Sequence, residues 1–297
     1  NEGEKGAITL DQIESFRSYG AFALASYNKE NYSIQSGVRF DLHEISLDDN
    51  VGIDQQYVEY SKSLRAFSPN LGFIYNLNKN DEVYINYGKS YETPSLSELS
   101  ANPNGVGFNG DLNPMNSSGF DLGFRNKSQN LSYSITAFYI KTKDEIVRYE
   151  LEGFEGMNFY RNLGTSKRIG TEMEVSYNLG NSGVLNASYT QAKYEFKNQE
   201  VSGDLPGIPK SNFALKWLYG YKDFDLKLDL KYVNSLYADN NNEVKVPSYL
   251  LSNIALKNKF NFKGFLLEAG LHVRNLLDEK YYDNIRTNAF GNRFYEP

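Results

Sequence analysis

The connections between strands in this chain alternate between short and long, and that rhythm constrains the fold more than any single motif. Tyr32, Ile34, Val38, Phe40 and Leu42 share one parity, while Ser33, Gln35, Gly37, Arg39, Asp41 and His43 share the other. Such period-2 alternation marks a strand with one apolar face. Phe16–Tyr27 precedes it across the turn Asn28–Asn31, which makes a hairpin. The same grammar recurs along the chain, with turns at Asn78–Asp81, Asn126–Asn130, Asn181–Gly183, Tyr221–Asp223 and near Asn261. Between hairpins lie polar stretches without a sustained period, read as loops: Glu44–Tyr60, Glu92–Pro114, Lys143–Met157, the run to Pro209, and Ala238–Glu243. Short connections of about 2–6 residues thus alternate with long ones of about 8–24, the pattern of an up-and-down membrane barrel with short turns on one side and long loops on the other.

Composition supports that reading where it bears on it. With 24 Tyr and 19 Phe but 1 Trp, aromatic residues are plentiful, yet no apolar run is continuous. A transmembrane helix needs about 20 such residues in a row, so helical crossing is excluded. A mean hydropathy of -0.57 is no obstacle, because a barrel strand shows only alternate residues to lipid. A β-sandwich would not sort its connections strictly into short and long, nor carry an outward face rich in Tyr and Phe. The expected fold is all-β: an antiparallel up-and-down transmembrane β-barrel.

The polar parity carries Arg39, Asp41, Arg125, Glu172, Glu174, Asp229, Lys231, Glu268 and Arg274, which would face an aqueous lumen or a polar plug. Facing lipid, each charge would cost about 2–4 kcal/mol near the midplane. The absence of Cys excludes disulfides and thiolate metal sites. A formal charge of -6 without a basic patch excludes nucleic acid as a partner. His43 and His272 lie far apart and read as polar lumen residues, so no metal site and no cofactor are expected. Gly105-Val-Gly107 and Gly153-Phe-Glu-Gly156 lack a strand-to-helix context and read as flexible loop tips, not phosphate cradles.

Several stretches resemble TonB-dependent receptors, the plugged outer-membrane barrels of Gram-negative bacteria. They are Ser36-Gly-Val-Arg-Phe-Asp41, Phe67-Ser-Pro-Asn-Leu-Gly-Phe-Ile-Tyr75, Tyr91-Glu-Thr-Pro-Ser-Leu-Ser-Glu-Leu99, Tyr160-Arg-Asn-Leu-Gly-Thr-Ser-Lys-Arg-Ile-Gly-Thr-Glu172, and Asn275-Leu-Leu-Asp-Glu-Lys-Tyr-Tyr-Asp-Asn284. Asn109-Gly-Asp-Leu-Asn-Pro-Met-Asn116 departs from the family, which usually has a Leu-x-Pro-Glu run there. The resemblance implies a complete barrel of about 22 strands, of which residues 1–297 supply about 12–13. The plug domain, the first strands and the closing strand would lie outside this chain, and Gly291-Asn-Arg-Phe294 should open a further strand. Asn1–Gly6 reads as loop interior, with no initiator Met or signal peptide before it.

The resemblance further implies a monomer in outer-membrane lipid that takes up a ferric siderophore or similar iron chelate, energised by TonB acting on the plug. From the residues themselves, Arg148, Tyr149, Tyr160 and Arg161 are the candidate ligand contacts. Guanidinium forks match carboxylates, and Tyr offers stacking with a hydroxyl, as an anionic, oxygen-rich chelate would need. Tyr281 and Tyr282 read as part of the interfacial belt. No catalytic constellation is expected, since an outer-membrane hydrolase would need a Ser/His/Asp or paired-carboxylate rim and only two isolated His are present. The alternative is a passive porin or structural adhesin.

Overall fold

The structure, a computed structural model, describes residues 11–50, 58–105, 107–197 and 202–295; the Asn1–Gly6 loop reading and Val106 of the Gly105–Gly107 tip fall outside them. In chain order the strands are β1 (Gln12–Asn28), β2 (Tyr32–Asp49), β3 (Val58–Asn76), β4 (Asp81–Glu92), β5 (Met115–Lys127), β6 (Leu131–Lys143), β7 (Ile146–Tyr149), β8 (Phe159–Asn162) and β9 (Thr165–Asn178). They continue as β10 (Val184–Lys197), β11 (Ser202–Asp204), β12 (Ser211–Tyr221), β13 (Phe224–Val233), β14 (Leu236–Tyr237), β15 (Lys245–Val246), β16 (Tyr249–Phe262) and β17 (Phe265–Val273).

Twelve of these form one antiparallel wall in the order β1-β2-β3-β4-β5-β6-β9-β10-β12-β13-β16-β17. β11 adds to β10 off that path, while β7–β8 and β14–β15 are separate hairpins. Among the described residues β1 and β17 end the path and do not pair with each other.

Register assembles the faces read from the sequence. Tyr27, Ile34, Phe73, Ile85 and Leu122 are successive cross-strand partners and form an outward apolar row. One residue away, Gln35, Gly72, Asn86 and Asp121 form the matching inward row. Inward charges neutralise one another along the wall: Arg39 with Asp41 at 2.6 Å, Glu82 with Arg125 at 3.0 Å and Lys127 at 2.6 Å, and Lys227 with Asp229 at 2.9 Å. Low on the inner face, polar side chains such as Lys216, Glu174 and Asp229 line a cavity of about 810 Å³.

The wall rises well beyond a bilayer. A barrel strand crosses with about 9–11 residues, whereas β2 has 18 and β3 has 19. Of the stretch Glu44–Tyr60, which reads as a loop, the described residues 44–49 and 58–60 are strand. Its alternation continues but changes sides: up to Leu42 the apolar residues face outward, and from Ile45 the buried apolar residues, Ile45 and Leu47, face inward. Above the lipid the outer face meets water and the inner face needs covering.

The cover is the β4–β5 connection. Its turn residues read as a long loop, yet it holds the short helix α1 (Leu96–Ser100), opened by a capping box in which Ser95 and Glu98 satisfy each other's backbone N–H. Leu99, Phe108 and Leu112 pack there against Ile45, Leu47 and Leu64. Burying one such side chain stabilises by about 1.5–3 kcal/mol, so the connection is a packed lid on the ribbon. Two smaller clusters close other upper loops: Leu163 with Phe196 and Leu205, and Ala238 with Val246, Ala289 and Phe294.

At the carboxy-terminal end, Gly291–Phe294 does not open a strand. Residues Phe290–Asn292 form a 3-10 turn, and the segment folds back on itself through the Ile285–Tyr295 bridge and the Arg286 N–H to Phe294 carbonyl bond at 2.8 Å. Burial of Phe294 with Ala289 and Val246 holds it there.

Candidate functional site

The upper loops meet on the hairpin β7–β8, whose first strand lies in the Lys143–Met157 stretch that reads as loop. Pairing sets Arg148 opposite Tyr160, Val147 opposite Arg161 and Tyr149 opposite Phe159. Its two faces have different neighbours: Ile146 and Tyr160 pack on the α1 cluster, and Val147 packs on the Leu163–Phe196–Leu205 cluster. The hairpin is thus wedged between two small cores. Asn113 and Asn162 lock it to the β4–β5 connection, through the Asn113 N–H to Asn162 Oδ1 at 2.7 Å and Asn162 Nδ2 to the Asn113 carbonyl at 2.8 Å.

All four candidate contacts sit on this hairpin, but strand alternation divides them. Tyr149 and Arg161 share one face, where the guanidinium lies 5.2 Å from the ring centroid in a cation–π contact. Arg148 and Tyr160 share the other. Arg148 is engaged with the carboxy-terminal segment, donating to the Thr287 carbonyl at 3.4 Å while its own carbonyl accepts from Asn288 Nδ2 at 3.0 Å. The backbone carbonyl of Tyr160 accepts from Asn109 Nδ2 at 3.2 Å. The two arginines therefore do not form one fork.

Around Arg161 the surface is aromatic. Phe159 is 6.0 Å from Tyr149 and 5.7 Å from Phe154, the latter edge-on, and Phe154 and Met157 are exposed at the tip. The tip is ordered by turns, with the N–H groups of Phe154 and Met157 bonding the carbonyls of Leu151 and Phe154. Glu155 takes the Gly153 N–H at 3.1 Å, and bonds from its own and the Gly153 amide hold its carboxyl below the ordinary range. An internal carboxylate thus occupies the place a phosphate would need.

Sequence reasoning missed the ion cluster beneath the hairpin. Glu150 is buried and meets Arg286 at 2.6 Å, Arg293 at 3.5 Å and the Phe290 N–H at 3.1 Å. Arg286 also donates to the Gly156 carbonyl at 3.0 Å. Only the separation of more than 130 residues hid this cluster; nothing local marks its members as partners. The carboxy-terminal segment so held roofs a second cavity of about 660 Å³, lined by Lys231, Asn234, Tyr249, Asp283 and Thr287 among others. Tyr249 donates to Asp283 there at 3.0 Å. Tyr281 packs on Tyr249 and Tyr282 stacks on Tyr295, so both belong to this roof and not to a lipid-facing strand row. His43 on β2 stacks on Tyr91 with the Phe16 ring tilted beside it, and His272 is exposed on β17, toward the other end of the sheet path.

Outward apolar rows, a polar inner face, short turns at one end and interlocked loops at the other define the wall of a wide membrane β-barrel. The sequence model of the family described as TonB dependent receptor-like, beta-barrel matches residues 3–276, and the chain belongs to that family. TonB-dependent receptors are outer-membrane proteins of Gram-negative bacteria, so outer-membrane lipid is what the outward rows face.

Among curated relatives, the catecholate siderophore receptor Fiu of Escherichia coli (strain K12) is 25% identical over 98% of this chain and 41% of its own length. The chain thus spans about two fifths of that receptor. The ferric citrate transporter FecA in its unliganded form superposes with a TM-score of 0.77 at 19% identity, over 92% of this chain and 42% of that one. The copper transporter OprC superposes at 0.73 with 21% identity, over 90% and 43%. At these identities the superpositions speak for the fold alone, and their named cargoes differ.

Proposed function

We propose that residues 1–297 are the barrel part of a monomeric outer-membrane receptor for an anionic ferric chelate, with catecholate-type siderophores as the ligand class. The observation that carries this reading is the Arg161–Tyr149 contact at the exposed edge of an aromatic tip. A cation held over a ring, beside Phe154 and Phe159, offers charge to an anionic chelate and flat surface to its aromatic rings. The curated relatives named as catecholate siderophore and ferrioxamine B receptors favour the same class. Import is energised through TonB acting on a plug seated against the polar inner face, an assignment that follows the family.

The test uses the intact protein in cells lacking other ferric-chelate receptors. Uptake of a radio-iron tris-catecholate should require functional TonB, and Arg161→Ala should weaken binding by about 10–100-fold, as loss of a hydrogen bond to a charged group does. Uptake indifferent to TonB would replace the receptor with a passive channel. Unchanged binding in Arg161→Ala would remove this tip from the ligand path.

A further inference from the structure

The outer face of the wall carries a row of lysines that the inner chemistry does not explain. Lys89 on β4 is opposite Ser118 on β5, Ser118 is opposite Lys141 on β6, and Lys141 is opposite Lys167 on β9. On β5, β6 and β9 the orientation follows from the intervening residues: Ser117, Thr142, Ser166 and Arg168 join Glu145 in an inward hydrogen-bonded network, so Ser118, Lys141 and Lys167 point outward, and Lys89 shares their side through its pairing with Ser118. Lys141 and Lys167 are direct cross-strand neighbours of like charge, an arrangement that destabilises a sheet unless something compensates. Among the described residues no carboxylate pairs with Lys89, Lys141 or Lys167; Glu195, next in the row, is taken by Lys193 and by Lys197 at 3.2 Å. Lys143 stands one outward step higher on the same strand as Lys141.

The row directly below is apolar. Tyr87, Phe120, Tyr139 and Ile169 are successive cross-strand partners, and the Phe120 and Tyr139 rings stack at 5.7 Å. Lysines immediately above lipid-facing aromatic rings stand at headgroup height, where the neighbouring chemistry is that of the outer leaflet. Strands lie about 4.8 Å apart, so Lys89, Lys141 and Lys167 span about 15 Å along the surface, a width suited to a headgroup with more than one anionic group.

We infer that the outer face of β4, β5, β6 and β9 is a binding site for an outer-leaflet lipid with a phosphate-bearing headgroup, its phosphates on Lys89, Lys141 and Lys167 and its acyl chains over Tyr87, Phe120 and Tyr139. The site is independent of the ligand proposed above, since it lies on the other side of the wall.

Native mass spectrometry of the intact protein in detergent tests this, with lipid A, dephosphorylated lipid A of the same acylation and inorganic phosphate as probes. Lipid A should bind at least tenfold more tightly than its dephosphorylated form. Combined Lys89→Gln, Lys141→Gln and Lys167→Gln should abolish the difference, while Lys29→Gln with Lys79→Gln in the short turns should leave it intact. Heat-modifiable mobility on gels establishes that each variant is folded, and the single variant Lys141→Gln gives a milder readout should the triple variant fail to fold. Equal binding of the two lipids, binding of inorganic phosphate as tight as that of lipid A, or a difference that survives the lysine substitutions would each overturn the assignment.

Discussion

Glu150 and Arg286 meet at 2.6 Å beneath the β7–β8 hairpin, where the carboxylate side chain is only 1% exposed. This pair, with Arg293 at 3.5 Å, fastens the carboxy-terminal segment to a loop more than 130 residues earlier. Removing one partner of a buried pair leaves an uncompensated charge and costs about 3–5 kcal/mol. Because the Arg286 side chain is 20% exposed, the lower end applies. Arg286→Ala should therefore speed amide hydrogen exchange in residues 285–295 by about 100-fold, while the wall strands keep their protection. Unchanged exchange there would mean that the Phe294 cluster alone holds the segment.

The lid over the β2–β3 ribbon should answer to packing more than to its helix cap. Leu99 is 1% exposed among Ile45, Leu47 and Phe108. Leu99→Ala should destabilise the lid by about 2–5 kcal/mol. Ser95→Ala removes one capping bond from a five-residue helix and should cost about 1 kcal/mol. Protease susceptibility of residues 93–114, read on the intact protein, ranks the two; a larger effect at Ser95 would refute the packing account.

Much of this architecture was legible because a barrel strand writes its two environments in alternate letters. Leu122 and Asp121 needed no structure to be assigned to opposite faces. The reading failed where the strands left the lipid. Ile45 and Leu47 keep the period but reverse the face, and a search for one continuous outward stripe stops at Leu42. The Ser95-x-x-Glu98 capping signal stands in the sequence, but it opens a helix of only five residues inside a stretch whose turn residues read as loop. Arg148, Tyr149, Tyr160 and Arg161 stand out by residue type as candidates, but their division into two faces depends on the β7–β8 register. Glu150 with Arg286 is a long-range pair that composition and spacing do not encode.

Gly183 should be irreplaceable in its turn. It has φ 93°, and an added Cβ would lie 2.0 Å from the Leu218 carbonyl oxygen, a backbone atom that cannot swing away. Gly183→Ala is expected to prevent the β9–β10 turn from closing and to lower the yield of heat-modifiable, folded protein severalfold. Gly180, at φ 62° with open space around it, is the control: Gly180→Asn should fold normally. Equal yields for both substitutions would contradict the clash.

Asp81 should titrate low. It sits in the β3–β4 turn, where the side chains of Asn78 and then Asn126 donate to its carboxylate, at 2.7 Å and 2.6 Å. Both bonds favour the charged form and hold the carboxyl below its usual 3.8. The folded value being depressed, this turn's contribution is present above the unfolded value and is lost as pH falls through the folded one. Carbon-13 NMR of labelled aspartate should show the Asp81 midpoint below 3.8 in the folded protein, rising in Asn78→Ala. A midpoint that Asn78→Ala does not move would remove the cause assigned here.

The assignment of faces makes the sharpest contrast at neighbouring strands. Leu122 is 55% exposed on the outward side, between Ile85 and Ala137, near the middle of the lipid-spanning part of β5. Asn86 lies inward, opposite Asp121 and Gly72. An arginine in place of Leu122 must hold its charge in hydrocarbon and should cost about 2–4 kcal/mol. The same charge at Asn86 meets a polar lumen with a carboxylate opposite, so Asn86→Arg should change stability by less than about 1 kcal/mol. Urea-dependent folding of the intact protein into phospholipid vesicles measures both. A cost at Asn86 equal to or above that at Leu122 would invert the wall, and with it both the lumen and the lysine row on the outer face.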